Sequence, residues 1–265
     1  MSRAHDTREA LLSTAQRMFA ERGIDAVSLR EIGAAAGQRN KTAAQYHFGS
    51  KDQLVRAIFE RHTECVNRRR LELLAALDAD DSGRDLHRLV TALVQPLAEK
   101  AVEPGSCYLR FMVQVSLTKW VRTLPLTDQR LMESMESTLA RIAQQLDRLP
   151  PFVLRARLGM AMTLVIRTLA EYEDSRATDA DGTGVGGAEA DRTDADGAEG
   201  GRRAALLTAN LIDAVAGMLV SPVSAATAAL LGESPEDAAE EEQPQGWAWR
   251  LPSAAGGEGH GSAAR

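Results

Sequence analysis

Apolar residues recur along this chain at helical intervals almost everywhere that they recur at all. Leu11, Ala15, Met18 and Phe19 fall on one face of a helix that the pattern starts near Asp6 and ends at Gly23. Ser28 and Glu31 form an S-x-x-E capping box ahead of the stripe Leu29, Ile32 and Ala36, and Gly37 closes this second helix. Ser50 and Gln53 repeat the capping pattern and open a long helix through Leu54 and Ile58 to about Leu77. Between Gly37 and Ser50 lies a third short segment, Gln38 to Phe48, with little apolar content. Further helices are expected at 84–102, 106–120, 127–148 and 151–174, divided by Pro104-Gly105, Pro125 and Pro150-Pro151, and a last one over Gly201–Val220. Strand signals are nearly absent. The pattern predicts an all-α protein in three parts: a small N-terminal helical unit over 1–62, a larger bundle over 63–220, and a tail over 221–265.

Two stretches interrupt the helical pattern, and they hold the net negative charge. The chain has 265 residues with 31 Lys and Arg against 37 Asp and Glu, a net charge of -6. Residues 173–200 carry 2 basic and 9 acidic side chains, and 221–265 carry 2 and 7, so the remaining body is net positive. The first of these stretches, rich in Gly, Ala and Asp, predicts a flexible acidic loop over 175–200. The second, rich in Pro, Gly, Ala, Ser and Glu, predicts a disordered tail in which only Trp247 and Trp249 offer something to dock. The overall charge therefore does not exclude a phosphate-bearing partner.

Other chemistries find little support in the residues. Cys65 and Cys107 have neither metal-ligand spacing nor the look of a disulfide framework. His5, His47, His62, His87 and His260 show no paired metal spacing, and no acid, base and nucleophile converge in the pattern, so neither an enzyme nor a metal or cofactor site is expected. The apolar runs at 111–117 and 158–165 are interrupted and fall short of the ~20 residues that cross a bilayer. The first ten residues lack the apolar core of a signal peptide, which makes a cytoplasmic protein the expectation.

Three helices in the first 50 residues, the second and third separated by a glycine turn, fit a helix-turn-helix. The third segment offers Gln38, Arg39, Asn40, Lys41 and Thr42, then Gln45, Tyr46 and His47, with no carboxylate from Gln38 through Ser50. These side chains can read base edges or grip phosphates. Of Tyr46 and His47, one is expected to face phosphate and the other to be partly buried, while Phe48 belongs to the core. Ser28 and Lys51, each at the start of a helix, are further candidates for phosphate.

The runs Ser28-Leu29-Arg30-Glu31-Ile32-Gly33-Ala34-Ala35-Ala36-Gly37 and Tyr46-His47-Phe48-Gly49-Ser50-Lys51-Asp52-Gln53-Leu54, preceded by Ala20-Glu21-Arg22-Gly23-Ile24, resemble the DNA-binding domain of the tetracycline-repressor (TetR) family. The segment after Gly37 is one residue longer than the family's pattern, and Ala44 and Gln45 stand where Leu and Tyr are common. Which of Gln38 to Asn40 caps the recognition helix is thus left open. The resemblance implies a homodimeric regulator, usually a repressor, that binds double-stranded DNA at an inverted-repeat operator and is released by a small-molecule effector held in its C-terminal bundle. An alternative is a ligand-independent DNA-binding regulator whose bundle only dimerises.

For the effector, Arg110 and Gln114 are the polar candidates, in a pocket lined by Phe111, Met112, Val115, Trp120, Met132, Met135 and Leu139. The alternative is that the Met and aromatic residues fill core and Arg110 pairs with a surface carboxylate. The low aromatic and high Met content points to a flexible, apolar ligand. For the dimer, Leu154, Leu158, Met162, Val165 and Leu169 continue one face of the 151–174 helix, broadened by Leu164 and Ile166. Leu207, Leu211, Val215 and Leu219 do the same on the last helix. Apolar cover on more than one stripe suggests burial against a second subunit as well as the core.

Overall fold

The computed structural model describes residues 3–40, 42–80, 82–117, 129–182 and 193–232. The N-terminal unit contains α1 (Arg3–Arg22), α2 (Leu29–Ala35) and α3 (Ala43–Phe48), and α4 (Lys51–Ala79) leads out of it. The bundle is built from α5 (Leu86–Ala101), α6 (Tyr108–Ser116), α7 (Gln129–Gln145), α8 (Pro151–Gly182) and α9 (Thr193–Val220), followed by a short α10 (Ala225–Gly232). Among the described residues the regular structure is helical throughout.

Local chemistry sets the boundaries of the small helices. The Ser28 side chain accepts from the backbone N–H of Glu31 at 3.3 Å, and the Glu31 carboxylate accepts from the Ser28 backbone at 2.9 Å. That reciprocal cap fixes the start of α2. Gly37 follows with φ +69°, a left-handed conformation that an L side chain rarely adopts, and it turns the chain out of α2. None of Gln38 to Asn40 caps α3, whose N-cap is Thr42 without a side-chain cap bond; Asn40 instead closes the preceding turn, its Oδ1 accepting from the Thr42 N–H at 3.0 Å and from the Thr42 hydroxyl at 2.7 Å. The longer segment is therefore absorbed in the turn, and the helix proper starts at Ala43.

The bundle departs from the sequence expectation at three places. The acidic stretch expected to loop from 175 to 200 is helical at both ends, since α8 runs on to Gly182 and α9 starts at Thr193. Extending a packed helix gains one hydrogen bond per residue without a new nucleation cost. Residues 183–192 lie outside the described residues. The expected disordered tail opens with α10, whose start is capped by Ser224 Oγ accepting from the Thr227 N–H at 3.2 Å. Trp247 and Trp249 lie beyond the described part. Third, α9 contains a segment, Glu199–Val220, with a mean hydropathy of 1.5, long and apolar enough by composition to cross a membrane, which the expectation of no such stretch had missed. Here Leu211, Ile212, Val215 and Leu219 are buried in the bundle, where α9 lies on α5 and α8.

One hydrophobic core runs from the N-terminal unit into the bundle. The joint between them is the contact of α6 with α1, where the rings of Phe19 and Phe111 stack with centroids 6.4 Å apart. The other side of α6 lies against α8. The start of α6 is tied to α8 by Glu173, a buried carboxylate that accepts from the Ser106 hydroxyl at 2.7 Å and the Arg110 N–H at 3.0 Å.

Candidate nucleic-acid interface and bundle cavity

Because α3 is only six residues long, its apolar and polar positions separate cleanly. Ala43, Ala44 and Phe48 are buried, and Thr42, Gln45 and Tyr46 are exposed. Tyr46 is 84% exposed, the most exposed of the large apolar side chains among the described residues, and its ring meets the half-buried His47 edge-on at 5.3 Å. Tyr46 is thus the outward member of the pair. Arg39 and Asn40 are exposed in the turn, and Gln38 is half-buried with its amide donating to the Ala36 carbonyl at 3.2 Å. Lys41 lies outside the described residues. What remains is a small convex edge of hydroxyl, amide, phenol and guanidinium groups.

Two of the expected phosphate ligands are engaged within the fold instead. Lys51 Nζ donates to the carbonyls of Ile24 at 3.0 Å and Asp25 at 3.3 Å, which ties the start of α4 to the loop after α1. The Ser28 hydroxyl donates to the Glu31 carboxylate at 2.7 Å. That carboxylate is held down to a pKa of about 2 by the hydrogen bonds from Ser28 and from Arg22, at 2.8 Å. The start of α2 therefore carries its own anion, which neutralises the helix end that a phosphate would need.

The bundle holds a narrow cavity between α4, α5, α6, α7 and α8. Of the residues expected to line it, Met132 and Met135 do, together with Met112. The other described residues named for the pocket do not. Arg110, largely buried, pairs with Asp174 at 2.8 Å, Phe111 stacks on Phe19, and the Gln114 amide oxygen sits 3.4 Å from where a side chain on Gly23 would begin. Val115 and Leu139 are core, and Trp120 is outside the described residues. The error is a rotation: α6 turns Tyr108, Leu109 and Met112 to the cavity and shows Phe111 and Gln114 to α1.

The polar side of the cavity comes from α4, which the sequence reading missed. Thr63, Asn67 and Arg70 line it, and Arg70 is only 1% exposed. Its Nη1 donates to Asn67 Oδ1 and to the Ser134 hydroxyl, each at 3.2 Å, while Nε and Nη2 are buried without a partner. Burial lowers the guanidinium to a pKa of about 10, so it stays charged at neutral pH. Tyr108 is buried, hydrogen-bonded to Thr63, and pushed up to about 12, a neutral phenol. Its ring stacks on His62 at 4.5 Å, and His62 Nε2 lies 2.6 Å from Gln16 Oε1 on α1. One signal for Arg70 was present: it stands in the apolar register of α4, four residues after Val66 and four before Leu74.

The faces named for the dimer also turn inward. Leu154, Leu158, Met162, Val165 and Leu169, like Leu211, Val215 and Leu219, are buried within a single chain, and Leu207 is half-buried. The fuller stripe of each helix fills its own subunit's core first, because that core lies between two or more helices. Left exposed are Phe152, Met160 and Leu164 on α8 and Leu206 and Val220 on α9.

Comparison with solved structures finds partial likenesses. An alanine-substituted mutant of the HlyIIR protein is 14% identical, with 84% of this chain and all of that one covered and a TM-score of 0.47. PfmR from Thermus thermophilus, a TetR family transcriptional regulator, is 20% identical, with 62% of this chain and 94% of that one covered and a TM-score of 0.43. No curated protein matches. The family described as bacterial regulatory proteins, tetR family, matches residues 11–58, the stretch that spans α2, α3 and their supports in α1 and α4. Over that stretch the chain carries the tetR-family domain of bacterial regulatory proteins.

Proposed function

We propose that the protein is a homodimeric repressor, bound at an inverted-repeat operator and released by a small molecule held in the bundle cavity. The observation that carries the DNA-reading role is the exposed edge of α3, with Thr42, Gln45 and Tyr46 beside Arg39 and Asn40 and no carboxylate from Gln38 through Ser50. A two-fold dimer presents two such edges to successive major grooves. Phe152, Met160 and Leu164, with Leu206, supply apolar surface for the subunit contact, and Ala209, Ala214 and Gly217 on the exposed side of α9 let a second helix approach closely. A ligand releases DNA only to the extent that it prefers the bundle conformation with misplaced reading edges. In support of such coupling, α6 is wall to the cavity on one face and seat for α1 on the other.

The test is an electrophoretic mobility shift with the DNA upstream of the protein's own gene. A shift that sharpens to one inverted repeat on trimming, with a dimer by sedimentation, is the expected result. No shift on that DNA or on any genomic fragment at low salt rejects the reading.

A further inference from the structure

Arg70 is a charge in an apolar place. Its cavity is walled by Met112, Met132, Met135 and Met162 and by aliphatic side chains, and among the described residues no carboxylate pairs with it. A buried, unpaired cation is costly, and natural structures hold one only where something compensates it. The unpartnered atoms are informative as a pair. Nε–H and the Nη2–H beside it form one edge of the guanidinium, two parallel donors spaced for the two oxygens of a carboxylate. The opposite side of the group is fixed by Asn67 and Ser134, and Ser134 in turn donates to Asn67 Oδ1 at 2.7 Å. The fork is held in place with its free edge left over.

We infer that the bundle cavity binds a monocarboxylic acid with an apolar body, its carboxylate paired with the Nε and Nη2 edge of Arg70 and its chain among the methionines. The lining supplies a single positive charge, since Tyr108 is neutral, which fits a monoanion. The thioether side chains are unbranched and re-pack at low cost, so they accept a flexible chain. This inference rests on the effector-binding part of the proposed function and names the chemical class of that effector.

The test uses the full chain with hexanoate, octanoate and decanoate against the alcohols of the same length, read by thermal shift and titration calorimetry. At least one of the acids raises the melting temperature, and its matching alcohol at equal concentration does not. In Arg70→Met that acid binds about ten- to hundredfold more weakly, the loss expected for a charge-assisted pair. Because Met of similar volume removes a buried unpaired charge, this variant melts at or above the wild-type temperature without ligand, so lost binding is not lost folding. Arg70→Lys, which keeps the charge but not the fork, falls between the two. Equal effects of acid and alcohol, no effect of any acid, or unchanged acid binding in Arg70→Met overturns the inference. A mobility shift with and without the acid separates the two readings: acid binding that leaves the DNA complex intact upholds the carboxylate site and rejects release.

Discussion

The two ends of this molecule use polar side chains in opposite ways. Around α3 they stand outside, on a helix whose apolar residues face in, with Gln45 and Tyr46 exposed. In the bundle the notable polar groups are inside: Arg70, Asn67 and Ser134 at the cavity, Glu173 at the start of α6, and Arg157, whose Nη1 donates to the carbonyls of Leu219 at 2.9 Å and Ser221 at 2.6 Å. Arg157 and Arg70 are the sharper contrast within the bundle. Both are buried guanidiniums, but Arg157 spends its donors on the end of α9, whereas Arg70 keeps an edge free. An exposed polar group costs the fold little and is available for a large partner. A buried one must be satisfied by the chain or by something that enters it.

If the two ends differ in this way, substitutions at each should separate stability from binding. The largest effect belongs to the joint: Phe19→Ala removes a fully buried ring stacked on Phe111 and costs about 3–5 kcal/mol, read by urea unfolding. A loss under about 1 kcal/mol would mean that the two ends are not joined through α6. Next comes pH. His62 is held neutral by burial, with Lys100 and Arg61 adding to the effect, and its pKa falls to about 3. The unfolded chain therefore takes up a proton near pH 6.5 that the folded chain refuses. Stability is full above that value and is lost as pH falls toward 3, by the order of 2 kcal/mol at pH 5. His62→Gln should flatten that slope in thermal unfolding, and an unchanged slope would assign it to other groups.

At the reading end the effect moves from folding to binding. Tyr46→Ala should leave unfolding within about 0.5 kcal/mol of wild type and weaken operator binding about tenfold or more in a mobility shift. A destabilised variant would show that Tyr46 packs rather than reads. The smallest effect is that of Ser28→Ala, about 1 kcal/mol from the lost cap of α2, with no change in the salt dependence of DNA binding if Ser28 meets no phosphate.

What the sequence made legible follows the range of each interaction. The capping box at Ser28 and Glu31, the turn at Gly37 and the inward Phe48 depend on neighbours a few residues away, and all three stand as read. Lys51 was misjudged because the carbonyls it serves are those of Ile24 and Asp25, a whole helix-turn-helix earlier. Arg70 was missed because Ser134 is far along the chain and arginine is ordinarily a surface residue. The face of α6 was misassigned because Arg110 and Gln114, four residues apart, mark one polar stripe without telling which neighbour that stripe or the apolar remainder meets. For α8 and α9 the same ambiguity took the core stripe for the partner stripe.

The division of α6 into two faces also bears on how the ligand preference proposed for the cavity would change. Leu109 and Met112 shape the cavity while Phe111 and Gln114 meet α1, and the two sets interleave without sharing a position. Codons for the first set are free to drift toward a longer, shorter or bulkier guest while the second stays constant. In a gene duplicated for a new signal, or a sensor built in the laboratory, Leu109 and Met112 are the positions to randomise first.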